Sequence, residues 1–220
     1  MPLEAVPDDQ AAGLRRVFAH CKHIVVLGDG AATAGAGLAL AQACTQAWGS
    51  VLVADPGAIC LSLAGVQPLF SALDARAVTE AMGCRFLLAP PDASQAALAR
   101  FAEQTGNRAL LYFAAGDDVE LPPAGAMLGL VVLGDESAPE RTYSWLKALA
   151  GQGLLQRTEM LWLGEEASYL RLAEAAQRFL SYEIAGEICA PGADPVCAAR
   201  ALAARMRDGG QIWSRVRLHA

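Results

Sequence analysis

Short apolar runs alternate along the chain with longer stretches in which apolar residues recur every three or four positions. The runs predict strands at 23–27, 51–54, 85–88, 109–113, 128–133, 159–163 and 185–188. The periodic stretches predict helices near 35–48, 68–82 (broken), 94–105, 139–151, 166–181 and 194–207. Local signals agree with these spans. Ser94 stands before "QAALARFAEQ" as an N-cap, and Gly106 follows it. Pro139 opens "PERTYSWLKALAGQG" and Gly151 closes it. Several strands are continuous apolar runs, such as "LGLVVL" at 128–133, which suits strands buried on both faces. Strand–helix alternation of this kind predicts an α/β fold, with a mostly parallel central sheet and helices on both faces.

Three segments divide the chain. Residues 1–20 hold a short amphipathic pattern, with Ala11, Leu14, Val17 and Phe18 on one helical face and Asp8 or Asp9 available as a cap. Residues 21–208 form the domain. Gly209 and Gly210 end the last helix and release a basic tail, "QIWSRVRLHA". In that tail Ile212, Trp213, Val216 and Leu218 stand beside Arg215 and Arg217, a pattern suited to weak membrane contact.

Composition narrows the classes. Of 220 residues 54% are hydrophobic, enough for a large core, and 18% are charged. The net charge of −6 excludes a general nucleic-acid binder. Charge is nonetheless uneven: residues 200–220 carry five arginines against Asp208 alone. The opening "MPLEAVPDDQ" is acidic and lacks an apolar centre, so no signal peptide is expected and the protein is expected in the cytoplasm. The six cysteines form no CxxC pair, which predicts free thiols and no metal site.

The chemistry centres on "IVVLGDGAATAGAGLALAQA", residues 24–43: an apolar run, a glycine-rich loop and an Ala/Leu-rich helix. This is how a phosphate-cradling turn looks in sequence. Gly28, Asp29, Gly30, Thr33 and Gly35 would form it, with Asp55 at the end of the next strand. Yet the loop has no lysine; the chain holds only Lys22 and Lys147. Loss of a charge-paired lysine costs about 2–5 kcal/mol, against about 0.3–2 kcal/mol from the helix dipole. Asp29 places a negative charge where phosphates would lie. No ATP or magnesium is therefore expected to bind, and the loop reads as a structural relic. Two rival readings share these residues. One is an active nucleotide-binding protein with an atypical loop. The other is a Rossmann-type dinucleotide binder, for which "GDGAAT" supplies the first two glycines and Asp55 the acidic residue.

Residues 9–15, "DQAAGLR", resemble the DQAxxLR motif that opens the FlhG (FleN) family of flagellar-number regulators. Asp9, Gln10, Ala11, Leu14 and Arg15 match all its fixed positions. The remainder is similar to the MinD/ParA-type P-loop ATPase domain that follows this motif in the family. "VLVADPGAICLSLAGV" resembles its second strand and turn. "SAPERTYSWLKALAGQG" resembles a later helix, with Tyr143 and Lys147 in matching places, and "GEICAPGADPVCAARA" its closing strand and helix. The resemblance implies a MinD/ParA-like P-loop fold lacking the phosphate-binding lysine. It also implies that the N-terminal motif docks on FlhF, a GTPase of the signal-recognition-particle type, and that Gln10 stimulates GTP hydrolysis there. Flagellar switch proteins or a flagellar transcription activator are further partners the family implies, and the cell-pole membrane a further location. The departures are equally specific. Both loop lysines are missing, Tyr112 and Phe113 stand where a carboxylate follows a later strand, and "LWLGEEAS" lacks the adenine-contacting asparagine. The expected protein is a regulator without catalysis of its own. A scaffold from another MinD-like system is a blander rival, which the N-terminal motif disfavours.

Overall fold

The computed structural model describes residues 21–28, 33–67, 71–114 and 129–208. Its centre is an eight-stranded sheet in the order β3-β4-β2-β5-β1-β6-β7-β8. The strands are β1 (Lys22–Gly28), β2 (Val51–Ala54), β3 (Thr79–Ala81), β4 (Cys84–Leu87), β5 (Ala109–Ala114), β6 (Gly129–Asp135), β7 (Thr158–Leu163) and β8 (Ala185–Cys189). Among the described residues six α-helices accompany them: α1 (Ala34–Trp48), α2 (Ile59–Leu63), α3 (Gln95–Gln104), α4 (Pro139–Gly151), α5 (Glu166–Leu180) and α6 (Val196–Asp208). All strand pairs are parallel except β3 with β4.

Side-chain alternation builds the layers. On one face Ile24, Val26, Val53, Phe86, Leu111 and Leu133 pack beneath α1 and α6. On the other, Val25, Leu27, Leu130, Val132, Met160 and Trp162 pack beneath α4 and α5. Leu52, Leu87 and Leu110 continue that second face beneath α3. Both faces of the central strands are therefore dry, which is why those strands read as unbroken apolar runs.

The seven sequence-predicted strands and five of the helices are present. Ser94 accepts the Ala97 N–H at 3.2 Å, and Pro139 opens α4. The expected helix over 68–82 is corrected. Its described part holds a 3₁₀ turn at Ala75–Ala77, initiated by Asp74, and then the antiparallel strand β3. The β3–β4 hairpin turns through Met82 and Gly83, both at positive φ. The apolar residues here alternate too briefly to distinguish a short edge strand from a broken helix. The short α2 was not predicted. α4 ends at Gly151 as expected, and the chain then turns at Gly153, φ 69°. Among the described residues no helix is long and apolar enough to cross a membrane.

Candidate functional site

β1 lies between β5 and β6: strands β2 to β5 stand on one side of it and β6 to β8 on the other, so the order reverses at β1. Crevices at the carboxyl ends of such strands are where open α/β sheets place ligands. The glycine-rich loop leaves β1 at this point. Of its sequence-predicted residues Gly28, Thr33 and Gly35 are described, while Asp29 and Gly30 lie outside the described residues. The same holds for Asp9, Gln10, Ala11, Leu14 and Arg15, and for the tail residues Ile212, Trp213, Arg215, Val216 and Arg217.

Thr33 occupies the cap position of α1 and is 2% exposed. Its carbonyl accepts the Gly37 N–H at 2.9 Å, starting the helix, while its hydroxyl makes no capping bond. A Cβ on Gly28 would lie 2.5 Å from that hydroxyl oxygen and 3.3 Å from Leu133. Gly28 is thus required by close packing of the turn itself. Gly35, by contrast, points into open space.

Asp55 ends β2 and is also 2% exposed. One carboxylate oxygen accepts the Leu61 N–H at 3.0 Å, and its backbone carbonyl accepts the Ala58 N–H at 3.3 Å. It therefore closes the turn into α2, in which Ala58 takes a left-handed φ of 54°. The carboxylate has a structural partner already, and it faces the crevice from that anchored position.

Phe113 is the residue that most changes the crevice. It leaves β5 on the α1 side, and a Cβ on Gly37 would lie 2.5 Å from its ring. Glycine at 37 lets the helix close onto that ring. What remains between Thr33, Asp55, Cys60, Phe113 and Leu133 is a cavity of about 30 Å³. Small-molecule pockets start near ~300 Å³, and a cavity this small has room for only a water or two. The Cys60 thiol beside it is pushed up to about 12 by burial and by the Asp55 carboxylate, so it is a neutral thiol at neutral pH. Gly37 was missed as a site residue. Its signal was present, since a glycine inside an otherwise helical pattern costs about 1 kcal/mol and calls for a packing reason.

A second carboxylate organises the neighbouring strand ends. Glu136, just after β6, accepts the Glu165 N–H at 2.8 Å, in front of the first turn of α5. Negative charge is favourable at a helix N-terminus. Tyr143 and Lys147 lie on α4, Tyr143 half-buried against the core and Lys147 exposed. All six cysteines are free, five buried and Cys197 exposed. Among the described residues no group of three His, Cys, Asp or Glu side chains could hold a metal ion.

No family model matches the sequence, and no curated protein matches it. Solved structures do. The chain is similar to a protein of the MinC:MinD cell division complex of Aquifex aeolicus, at 11% identity and a TM-score of 0.61. That match covers 88% of this chain and 99% of the other. FtsY of Mycoplasma mycoides is matched at 10% identity and a TM-score of 0.47, over 86% of this chain and 68% of that one. The mostly parallel eight-stranded sheet flanked by helices is the MinD-like α/β fold.

Proposed function

We propose that this chain is a MinD/ParA-like regulator of the FlhG type that acts without hydrolysing nucleotide. In this reading it binds an FlhF GTPase and stimulates its GTP hydrolysis through residues 9–15. The observation that supports it best is Phe113 seated against Gly37, with about 30 Å³ left between Thr33 and Asp55. An apolar ring stands where the resemblance calls for a carboxylate, and Asp55 is engaged by the backbone of Leu61. With no lysine in the loop, nothing offsets the cost of burying a triphosphate. The turn keeps its role as a strand-to-helix connection, and the domain acts as a platform.

The chemistry then belongs to the N-terminal motif. A glutamine amide both donates and accepts, so Gln10 can orient a water for in-line attack on a γ-phosphate held by the partner. In this reading Asp9 would cap the helix that presents it, Ala11 would permit close approach, and Leu14 with Arg15 would anchor the contact. Switch proteins of the flagellum or a flagellar transcription activator would use other surfaces. The matched MinD comes from a complex with MinC, which fits a fold that works through protein partners.

The test is GTP turnover by FlhF with this protein, without it, and with Gln10→Ala. Stimulation by the wild type that disappears in the variant is expected. No stimulation by the wild type overturns the activator role. Calorimetry with ATP and magnesium tests the other half: saturable heat at micromolar ATP would support the rival reading of an active nucleotide-binding protein.

A further inference from the structure

The connection from β8 to α6 begins and ends on a cysteine. Cys189 is the last residue of β8, Cys197 the second of α6, and "APGADPV" runs between them. Local chemistry folds this segment back. Pro191 and Gly192, the latter at φ 74°, take the central places of a tight turn, which the Ala193 N–H closes by donating to the Ala190 carbonyl at 3.0 Å. Asp194 accepts the Val196 N–H at 3.0 Å, and the Pro195 carbonyl accepts the Ala199 N–H at 2.9 Å, which starts the helix. The turn returns Ala193 to the strand end, where its carbonyl accepts from the Cys189 thiol at 3.4 Å. The Cys189 sulfur therefore lies on the inner side of the connection, between the strand end and the segment that enters α6. Cys189 is buried there, whereas Cys197 is exposed. Burial, the Asp194 carboxylate and the neighbouring Cys197 sulfur push the Cys189 thiol up, so it is neutral at neutral pH. The other four cysteines offer solvent no such pair. Cys21, Cys44, Cys60 and Cys84 are all buried, and the neighbours Cys44 and Cys84 are both closed to any solute.

We infer that Cys197 is an oxidation site for hydrogen peroxide or another small hydroperoxide, and that Cys189 resolves the product as a Cys189–Cys197 disulfide. The Cys197 sulfur, as thiolate, attacks one peroxide oxygen. The O–O bond breaks, a sulfenic acid forms on Cys197, and the departing hydroxide takes up the proton that the thiol released. The Cys189 sulfur then attacks the sulfenic sulfur. The S–S bond forms, the S–O bond breaks, and the hydroxyl leaves as water with the Cys189 proton. Two thiols together lose two electrons, and one peroxide becomes two waters. The two environments divide the labour. Exposure lets Cys197 meet the oxidant, while Cys189, neutral and covered, does not compete for it. A disulfide needs Cα atoms ~4.4–6.8 Å apart, and the connection is built to close to that span. Residues 190–194 are all exposed, so their backbone adjusts without disturbing the core on either face of the sheet. Cys197 sits in the first turn of α6, where N–H groups lack intrahelical partners and local opening costs least. Closure ties the start of α6 to the end of β8, at the opposite end of the helix from Arg205. This inference is independent of the GTPase reading, since it uses neither the N-terminal motif nor the β1 crevice.

The experiment treats the reduced full chain with a small excess of hydrogen peroxide, then counts thiols by mass after denaturation and alkylation. The wild type is expected to lose two thiols and two hydrogens, with peptide mapping joining the fragments that hold Cys189 and Cys197. Dithiothreitol should restore both. Cys197→Ser, a change at an exposed position, should keep all its remaining thiols under the same treatment. Cys189→Ser keeps a donor for the Ala193 carbonyl and should stop at the sulfenic acid, which dimedone traps on Cys197. In the wild type that adduct should be largely lost to the disulfide. Circular dichroism of both variants should match the wild type, which separates lost chemistry from lost fold. An unchanged thiol count in the wild type overturns the inference. So does a disulfide that joins other cysteines, a Cys197–Cys197 bond between two copies seen as a dimer without reductant, or over-oxidation of Cys197 with Cys189 left as a free thiol.

Discussion

Two corners of the same sheet use polarity in opposite ways. At the carboxyl end of β1, where the sequence places a phosphate-type loop, the crevice is closed by an aromatic ring, a leucine and a thiol around Asp55. At the β7–β8 edge, where the sequence reads only as an apolar run and a helix, three charged groups meet. The Arg205 guanidinium donates to Glu159 at 3.0 and 2.7 Å and also to Glu187. Glu159 is 4% exposed, and burial raises its carboxyl above the ordinary range while Arg205 pulls it back down. The difference teaches where the fold spends its charge. The crevice beside a loop whose sequence suits an anion is lined mainly by apolar side chains, and the buried electrostatics serve to fasten α6 across the two last strands.

The comparison breaks most sharply at Phe113. Phe113→Ala should cost about 3 kcal/mol, the lower part of the range for losing a phenyl ring, because the ring is half-buried. Urea unfolding would show it as a lowered midpoint with unchanged slope. A cost below about 1 kcal/mol would mean that the crevice is slack, and that Phe113 is no plug.

His23 carries the comparison to the other end of β1. It is 2% exposed, neither ring nitrogen has a hydrogen-bond partner, and burial lowers its pKa from 6.5 to about 4. The folded state therefore holds the neutral ring, while the unfolded chain takes up a proton near its ordinary value. Stability attributable to this group is complete above about pH 6.5 and falls as pH drops toward 4, with about 3 kcal/mol lost across that window. Denaturation midpoints measured from pH 7 to pH 4.5 should decline in the wild type. In His23→Leu that part of the decline should vanish. An identical pH profile in the variant would show that His23 is hydrated in the fold.

Much of this was legible in the chain. Seven strands could be placed because parallel strands buried on both faces leave unbroken apolar runs, and "LGLVVL" is such a run. Ser94 and Pro139 marked helix starts because their backbone chemistry admits few alternatives. The β3 strand was not legible, since three residues, none of them fully buried, carry too little period to read. The candidate site was legible as a loop and illegible as a volume. Gly28 and Asp55 could be named from spacing, but the meeting of Gly37 with Phe113 joins residues 76 positions apart through the β1–β5 pairing. Arg205 with Glu159 is harder still, because a lone glutamate opening an apolar strand looks like a solvated end. Only the edge position of β8 and the α6 crossing bury it.

Removing the centre of that charged corner is the next test in size. Arg205→Ala leaves Glu159 and Glu187 facing each other beneath α6 with no cation between them. Breaking one side of a buried pair costs about 3–5 kcal/mol, but the Arg205 side chain is 35% exposed. Solvent screening brings the expected loss to about 2 kcal/mol. Hydrogen exchange should locate it, with amides of α6 losing protection and those of β1 and β5 keeping theirs. Uniform loss across both regions would mean that α6 is not separately fastened by this contact.

The smallest effect is the most discriminating, because it separates the two glutamates. Glu159 receives two of the guanidinium bonds and its side chain is 5% exposed, whereas Glu187 receives one and is 27% exposed. Two carboxylates against one guanidinium leave an excess negative charge, and Glu187 is among the causes that raise Glu159. Neutralising Glu187 therefore removes a repulsion along with a hydrogen bond. Glu187→Gln should shift stability by about 1 kcal/mol or less in either direction, since the amide oxygen can still accept from Arg205. Glu159→Gln loses the stronger, drier half of the contact and should cost more, about 1–2 kcal/mol. Paired urea titrations of the two variants decide it. If Glu187→Gln proves the costlier, the latch that holds α6 is the outer carboxylate, and the buried one is a residue the fold merely tolerates.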